Sequence, residues 1–252
     1  MQADSLDFNR TLSGHMYSES MPKLLSFGLN ILADVFYPKY CFGCRRAGKY
    51  LCNFCATQVP MNAQSFCICC NLPSSQGTTH PSCRKEFAPD QLISAFPYKY
   101  QVISDMIITG KYYFVSETFV ILGMMAAEQI KNSYGISHFK DFVICPLPLH
   151  PAKKRWRGFN QSELIASAFE HSLHIPRVDL LTRKKNTKTQ KDLNSEQRKI
   201  NMRNAFTTTQ EIPEKVILID DVCTTGQTLM EASKVLKQNG AKQVICITLA
   251  KD

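Results

Sequence analysis

The chain's apolar residues change rhythm at about residue 90. Beyond that point, short continuous apolar runs alternate with stretches of helical period; before it, aliphatic residues are sparse. The run VILI at 216–219 is apolar on both faces, which predicts a central strand of a parallel sheet covered by helices on both sides. The segments LISAFPYKY at 92–100, DFVICPLPLH at 141–150 and QVICITLA at 243–250 read as further strands. Between them, VISDMIITGKYY at 102–113, residues 116–133, NQSELIASAFEHSL at 160–173 and MEASKVLKQNG at 230–240 read as helices. Leu164, Ile165, Ala168 and Phe169 share one face of the third, and Gly240 is the expected C-cap of the last. Strands and helices in alternation predict an α/β fold with a doubly wound parallel sheet.

Residues 1–20 are polar and unpatterned and are expected to form a disordered extension. MPKLLSFGLNILADVFY, from 21 to 37, has the spacing of an amphipathic helix whose use is packing. From 38 to 90 the chain is rich in Cys, Pro, Asn and Ser, too poor in aliphatic residues to build a core without a staple. The expected organisation is therefore an extension at 1–20, a small cysteine-rich domain at 21–90 and the α/β domain at 91–252.

Composition identifies the staple. Eight of the eleven cysteines fall between 41 and 83, mostly in C-x-x-C pairs. There is no run of 18 apolar residues, and MQADSLDFNR lacks the basic and apolar regions of a signal peptide, so a cytoplasmic protein without a membrane span is expected. Clustered cysteines in that setting point to metal rather than disulfides. Cys41, Cys44, Cys52 and Cys55 present two thiolate pairs to one tetrahedral ion, and Cys67, Cys70, His80 and Cys83 repeat the pattern with a histidine in one position. Thiolate-rich, closed ligand sets suit structural Zn²⁺. Cys69 competes with Cys67 for a place in the second set, and pairs can also interleave across the two sets. Cys145, Cys223 and Cys246 lie on or near strands and read as buried thiols.

The net charge of +9 is concentrated: residues 151–203 carry 13 Lys/Arg against 5 Asp/Glu. Such a face suits nucleic acid or a polyphosphate. Trp156, Phe159 and Phe206 stand among these charges as candidate stacking platforms for bases.

The central strand runs into Asp220 and Asp221, followed by Cys223, Thr224, Thr225, Gly226, Gln227 and Thr228 and then a helix. Open α/β sheets bind ligands at the carboxyl ends of strands, and small hydroxylated loops before a helix cradle phosphate. Two acids beside that cradle can take sugar hydroxyls or Mg²⁺. IDDVCTTGQT resembles the 5-phosphoribosyl-1-pyrophosphate (PRPP) motif of type I phosphoribosyltransferases, which implies that Asp220 and Asp221 contact the ribose and residues 223–228 the 5′-phosphate.

Taken in order, the cysteine pairs, PLPLHPAKKRWRGFNQSELIA, TQKDLNSEQRKINMRNAF and VILIDDVCTTGQT resemble the ComF family of competence proteins from about residue 22 onward. His80 stands where the family commonly has a cysteine, and the first 20 residues are an addition. The resemblance implies a zinc-ribbon head on a type I phosphoribosyltransferase-like sheet, and a role in handling single-stranded DNA during natural transformation. It also implies that the basic loop at 149–160 meets pyrophosphate or DNA through Lys153, Lys154, Arg155, Arg157, Gly158 and Asn160. Gly158 would there allow close backbone approach, and Arg198, Asn201 and Arg203 would lie in a loop over the site. An Mg²⁺-dependent phosphoribosyltransferase with an unknown acceptor, and a PRPP-sensing adaptor for a helicase or recombination protein, are the competing readings; no catalytic residue is identifiable.

Overall fold

The computed structural model describes residues 38–60, 65–185 and 204–252. The extension at 1–20, the helix expected at 21–37, and Arg198, Asn201 and Arg203 lie outside these residues.

Four parallel strands form the main sheet in the order β1-β6-β5-β2: β1 Gln91–Pro97, β2 Val143–Pro146, β5 Lys215–Cys223 and β6 Gln243–Lys251. β5 is interior, as its two-sided apolar run predicts. Its alternate residues separate two cores. Ile217 and Ile219 pack with the helices α2 Gln101–Tyr112, α3 Glu117–Tyr134 and α5 Gln161–Leu173. Val216 and Leu218 pack with α6 Gln227–Gln238 and with a small ribbon of β3 Thr182–Arg183 and β4 Phe206–Thr207. The period-2 pattern of a strand thus places one set of side chains under each helical layer.

β2 is shorter than its apolar run, ending at Pro146 with Pro148 soon after, since proline offers no N–H to a ladder. The helix ending near 240 has Asn239 as its C-cap, and Gly240 follows it at φ 121°.

The segment HPAKKRWRGF is not a loop. Residues Pro151–Arg157 form a helix, α4, with Pro151 at its first position. His150 caps it, Nδ1 accepting from Ala152 N–H at 3.2 Å, and Gly158 closes it at φ 83°.

Both edges of the sheet are covered. Thr78 bridges to Gln91 on β1, and Gly77 approaches the Leu92 carbonyl so closely that a Cβ there would collide with it. On β2, Ile144 N–H donates to Pro176 O at 2.9 Å and Val178 N–H to Ile144 O at 2.8 Å.

The cysteine-rich segment contains a backbone repeat offset by 26 residues. Cys41 N–H donates to Arg46 O and Cys67 N–H to Leu72 O; Arg45 N–H donates to Cys41 O and Asn71 N–H to Cys67 O, each at 2.9 Å. Arg45 and Asn71 share the left-handed conformation, with φ 62° and 60°. A short helix, α1 Asn53–Thr57, follows the first turn. Among the described residues no helix is long and apolar enough to cross a membrane.

Candidate functional site

The carboxyl end of β5 opens into a cleft of about 440 Å³. Asp220 Oδ1 accepts from Ser162 Oγ at 3.2 Å and from Asp221 N–H at 2.9 Å. Burial, and then the charge of Asp221, push the Asp220 carboxyl up to about 7. Asp221 is 4% exposed. Its Oδ1 meets Lys111 Nζ at 2.9 Å, and its Oδ2 is buried without a hydrogen-bond partner among the described residues. Burial opposes the charge on Lys111, but the Asp221 carboxylate outweighs it and raises the ammonium pKa. A buried acceptor with one oxygen unused is poised to receive a donor such as a sugar hydroxyl.

Lys153, Arg157 and Arg183 also line the cleft. Burial lowers the pKa of Lys153, and the Arg183 and Arg157 charges add to it. Arg157 Nη1 donates to Gln161 Oε1 at 2.5 Å, while its Nε is buried without a hydrogen-bond partner among the described residues. Arg183, 8% exposed, lies over the Phe206 ring at 5.5 Å. Burial depresses all three cations, and Lys153 is depressed further by the other two, so an incoming anion would relieve them.

Thr224 and Thr228 face the same cleft, and Cys223, Thr225, Gly226 and Gln227 line a smaller recess continuous with Asp220 and Thr224. Gly226 caps the N-terminus of α6 at φ 71°. Its α-carbon lies against the second cysteine turn, where an added Cβ would meet Ile68 Cγ1 at 2.9 Å. The Cys223 thiol is buried and pushed up to about 12, so it stays a thiol and offers the cradle only its backbone.

The other residues singled out from the sequence stand apart from the cleft lining. Lys154 pairs with Glu163 at 2.7 Å. Arg155 is exposed. Gly158 is required by its left-handed φ, since an added Cβ would meet nothing within 4 Å. Asn160 is the buried N-cap of α5, accepting from Ser162 N–H at 3.1 Å and donating to Leu147 O at 3.1 Å. Of the three aromatics, Phe159 packs on Phe119 and Phe206 is buried, whereas Trp156 is 61% exposed. Lys111 and Ser162 were not foreseen. No spacing links them to Asp221 and Asp220; only the packing of α2 and α5 on the sheet brings them there.

The metal-binding expectation resolves into two separate groups. The ligand atoms of Cys41, Cys44, Cys52 and Cys55 lie within 4.8 Å of one another, as do those of Cys67, Cys70, His80 and Cys83. The pairs do not interleave. Cys69 is outside the second group, with its Sγ 4.0 Å from Met230 Sδ. In the first group, burial resists ionisation of Cys41, yet backbone N–H groups of Cys44, Cys52 and Gly43 pull its pKa down to about 6. In the second, His80 Nε2 lies 3.1 Å from Pro73 O, and Nδ1 is 3.4 Å from Cys70 Sγ. With Nε2–H donating to that carbonyl, Nδ1 keeps its lone pair for a cation, the arrangement that orients metal-binding imidazoles. Four inward sulfur or nitrogen donors with no open position fit a structural metal.

The sequence is similar to those of known proteins. A family model described as "Phosphoribosyl transferase domain" matches residues 157–252. The chain is 31% identical over 217 residues to "DNA utilization protein YhgH" of Salmonella typhimurium, a match covering 79% of this chain and 91% of that one. It is 25% identical over 209 residues to "Competence protein ComFC" of Streptococcus pneumoniae, covering 82% and 83%. A match to "Competence protein F" of Haemophilus influenzae is 37% identical over 107 residues and spans 40% of this chain and 47% of that protein. With a phosphoribosyltransferase-type sheet, two side-chain groups that could each hold a metal ion, and an alignment over most of the length of such relatives, the chain belongs to the ComF family.

Proposed function

We propose that this protein handles single-stranded DNA in the cytoplasm during natural transformation, and that its cleft binds PRPP with Mg²⁺. The observation that carries this reading is the buried Asp221, which shares one cleft with Asp220, the threonines of the 223–228 loop and three cations. Relatives named for competence and DNA utilization support the DNA part. In this reading Asp220 and Asp221 accept from the ribose hydroxyls, and Lys111 is displaced from Asp221 or shares it. Backbone N–H groups and hydroxyls of 223–228 donate to the 5′-phosphate. Lys153, Arg157 and Arg183 hold the pyrophosphate, whose charge Mg²⁺ would neutralise further when bound. The two ligand groups hold structural Zn²⁺, and the chain divides near residue 90 into a metal-bound head and a phosphoribosyltransferase-like domain.

The test is titration of the protein with an end-labelled single strand at several salt concentrations, with and without Mg²⁺ and PRPP. Binding should weaken as salt rises, because cations on the protein displace counterions from the strand. Asp220→Asn with Asp221→Asn should abolish the response to PRPP while leaving strand binding in place. Absence of strand binding at low salt would sink the DNA reading, and an undiminished PRPP response in the double variant would sink the ligand assignment.

A further inference from the structure

The cleft wall continues into an aromatic surface outside the ribose and phosphate contacts. Lys111 and Tyr112 line the cleft, and the next residues, Tyr113 and Phe114, are 73% and 43% exposed. On the facing helix α4, Lys153 and Arg157 line the cleft and Trp156 projects beside them. The rings of Phe114 and Trp156 meet edge to face, centroids 4.9 Å apart at 79°. This places two large apolar rings together in water, although their neighbours Phe119 and Phe159 are packed into the core.

The backbone supplies a second observation. Phe114 has φ 61°, a region that bulky residues enter only at an energetic penalty. Such outliers cluster at ligand sites, where the surrounding structure holds them in place. Charge then selects the occupant. Lys153, Arg155 and Arg157 lie on the same short helix as Trp156, so whatever covers the rings must be flat, apolar on its faces and attached to phosphate. Bases in a duplex have their faces covered by their neighbours, which leaves an unpaired base of a single strand.

We propose that Phe114 and Trp156, with Tyr113 beside them, form a stacking platform for unpaired nucleobases at the mouth of the cleft. The proposal rests on the reading of the chain as a single-strand binder and identifies where the bases, as distinct from the phosphates, are held.

Trp156 is the sole tryptophan, so its fluorescence reports on this surface alone. The full chain is titrated with a single strand of thymidines and with an abasic strand of the same length and phosphate count, reading Trp156 emission and the anisotropy of an end label. The thymidine strand should quench Trp156 and bind about tenfold or more tightly than the abasic strand, the range expected for a stacked base. Phe114→Leu and Trp156→Ala should each erase most of that preference while leaving the abasic affinity unchanged, which also serves as the control for folding. Equal affinities and equal emission with the two strands would overturn the platform. Failure of both strands to bind would instead overturn the single-strand reading, and the platform with it.

Discussion

The two cysteine turns share a backbone but not a setting. Cys41, Leu51, Cys55 and Val59 of the first are buried with α2, α3 and α5, in the larger core. Ile68 of the second is buried with Leu229 and Ala232 of α6, on the opposite side of the sheet and directly against Gly226. One turn extends the core, and the other supports the loop at 223–228. The same local motif thereby acquires different consequences from what it touches.

This contrast predicts a division of effects. The largest belongs to the first group: Cys41→Ser leaves an incomplete metal shell next to buried apolar side chains. Loss of several kcal/mol should lower Tm by about 10 °C or more, at roughly 2–4 °C per kcal/mol for a chain of this size. Metal analysis should show one equivalent fewer, and full retention of metal would remove this group from the account. Cys67→Ser should lower Tm less but weaken PRPP binding by about tenfold, or ~1.4 kcal/mol, because the brace behind Gly226 loosens. Calorimetry that finds PRPP affinity unchanged in that variant would break the comparison.

Gly226→Ala sharpens it further. The methyl group meets Ile68 Cγ1 at 2.9 Å and forces a non-glycine residue to φ 71°, the latter alone costing about 1–2 kcal/mol. PRPP affinity should fall, and adding Ile68→Ala should restore the steric share of the loss but not the backbone share; a double-mutant cycle reads the difference.

The smallest effect belongs to Asp220, which alters the cleft without touching either metal group. Its folded pKa of about 7 lies above the ordinary value near 3.8, so the folded state holds a proton that the unfolded state releases between those values. Stability from this carboxyl is therefore greatest at low pH and falls as pH rises from about 4 to about 7. Ligand-free Asp220→Asn should melt a few degrees higher than the parent above pH 7, and the two should converge below pH 4. Parallel melting curves across that range would show that the carboxyl is not held protonated.

Much of this arrangement is legible in the sequence, for identifiable reasons. VILIDD declares an interior strand because both of its faces must be apolar, and its acids fall at the sheet's binding end whatever the rest of the chain does. The cysteine spacings likewise bring their side chains together through local turns, so the donor atoms of each set of four lie close to one another. The helix at Pro151–Arg157 was legible too, through proline at its start and glycine at its end, although the segment reads as a basic loop. Lys111 is different in kind. It sits in the last turn of α2, and its meeting with Asp221 depends on long-range packing that no local pattern records. Arg183 reaches the cleft through a two-stranded ribbon equally invisible to periodicity.

The bridge from Thr78 to Gln91 has a consequence for solubility. β1 is an outermost strand, and its LISAF stretch is the kind of flat, apolar edge onto which another chain can add a strand. The residues that shield it belong to the segment between Cys70 and His80 of the second group. Stripping metal from that group would free the shield before the sheet itself melts, so the first sign of metal loss is expected to be self-association through β1, with secondary structure still intact.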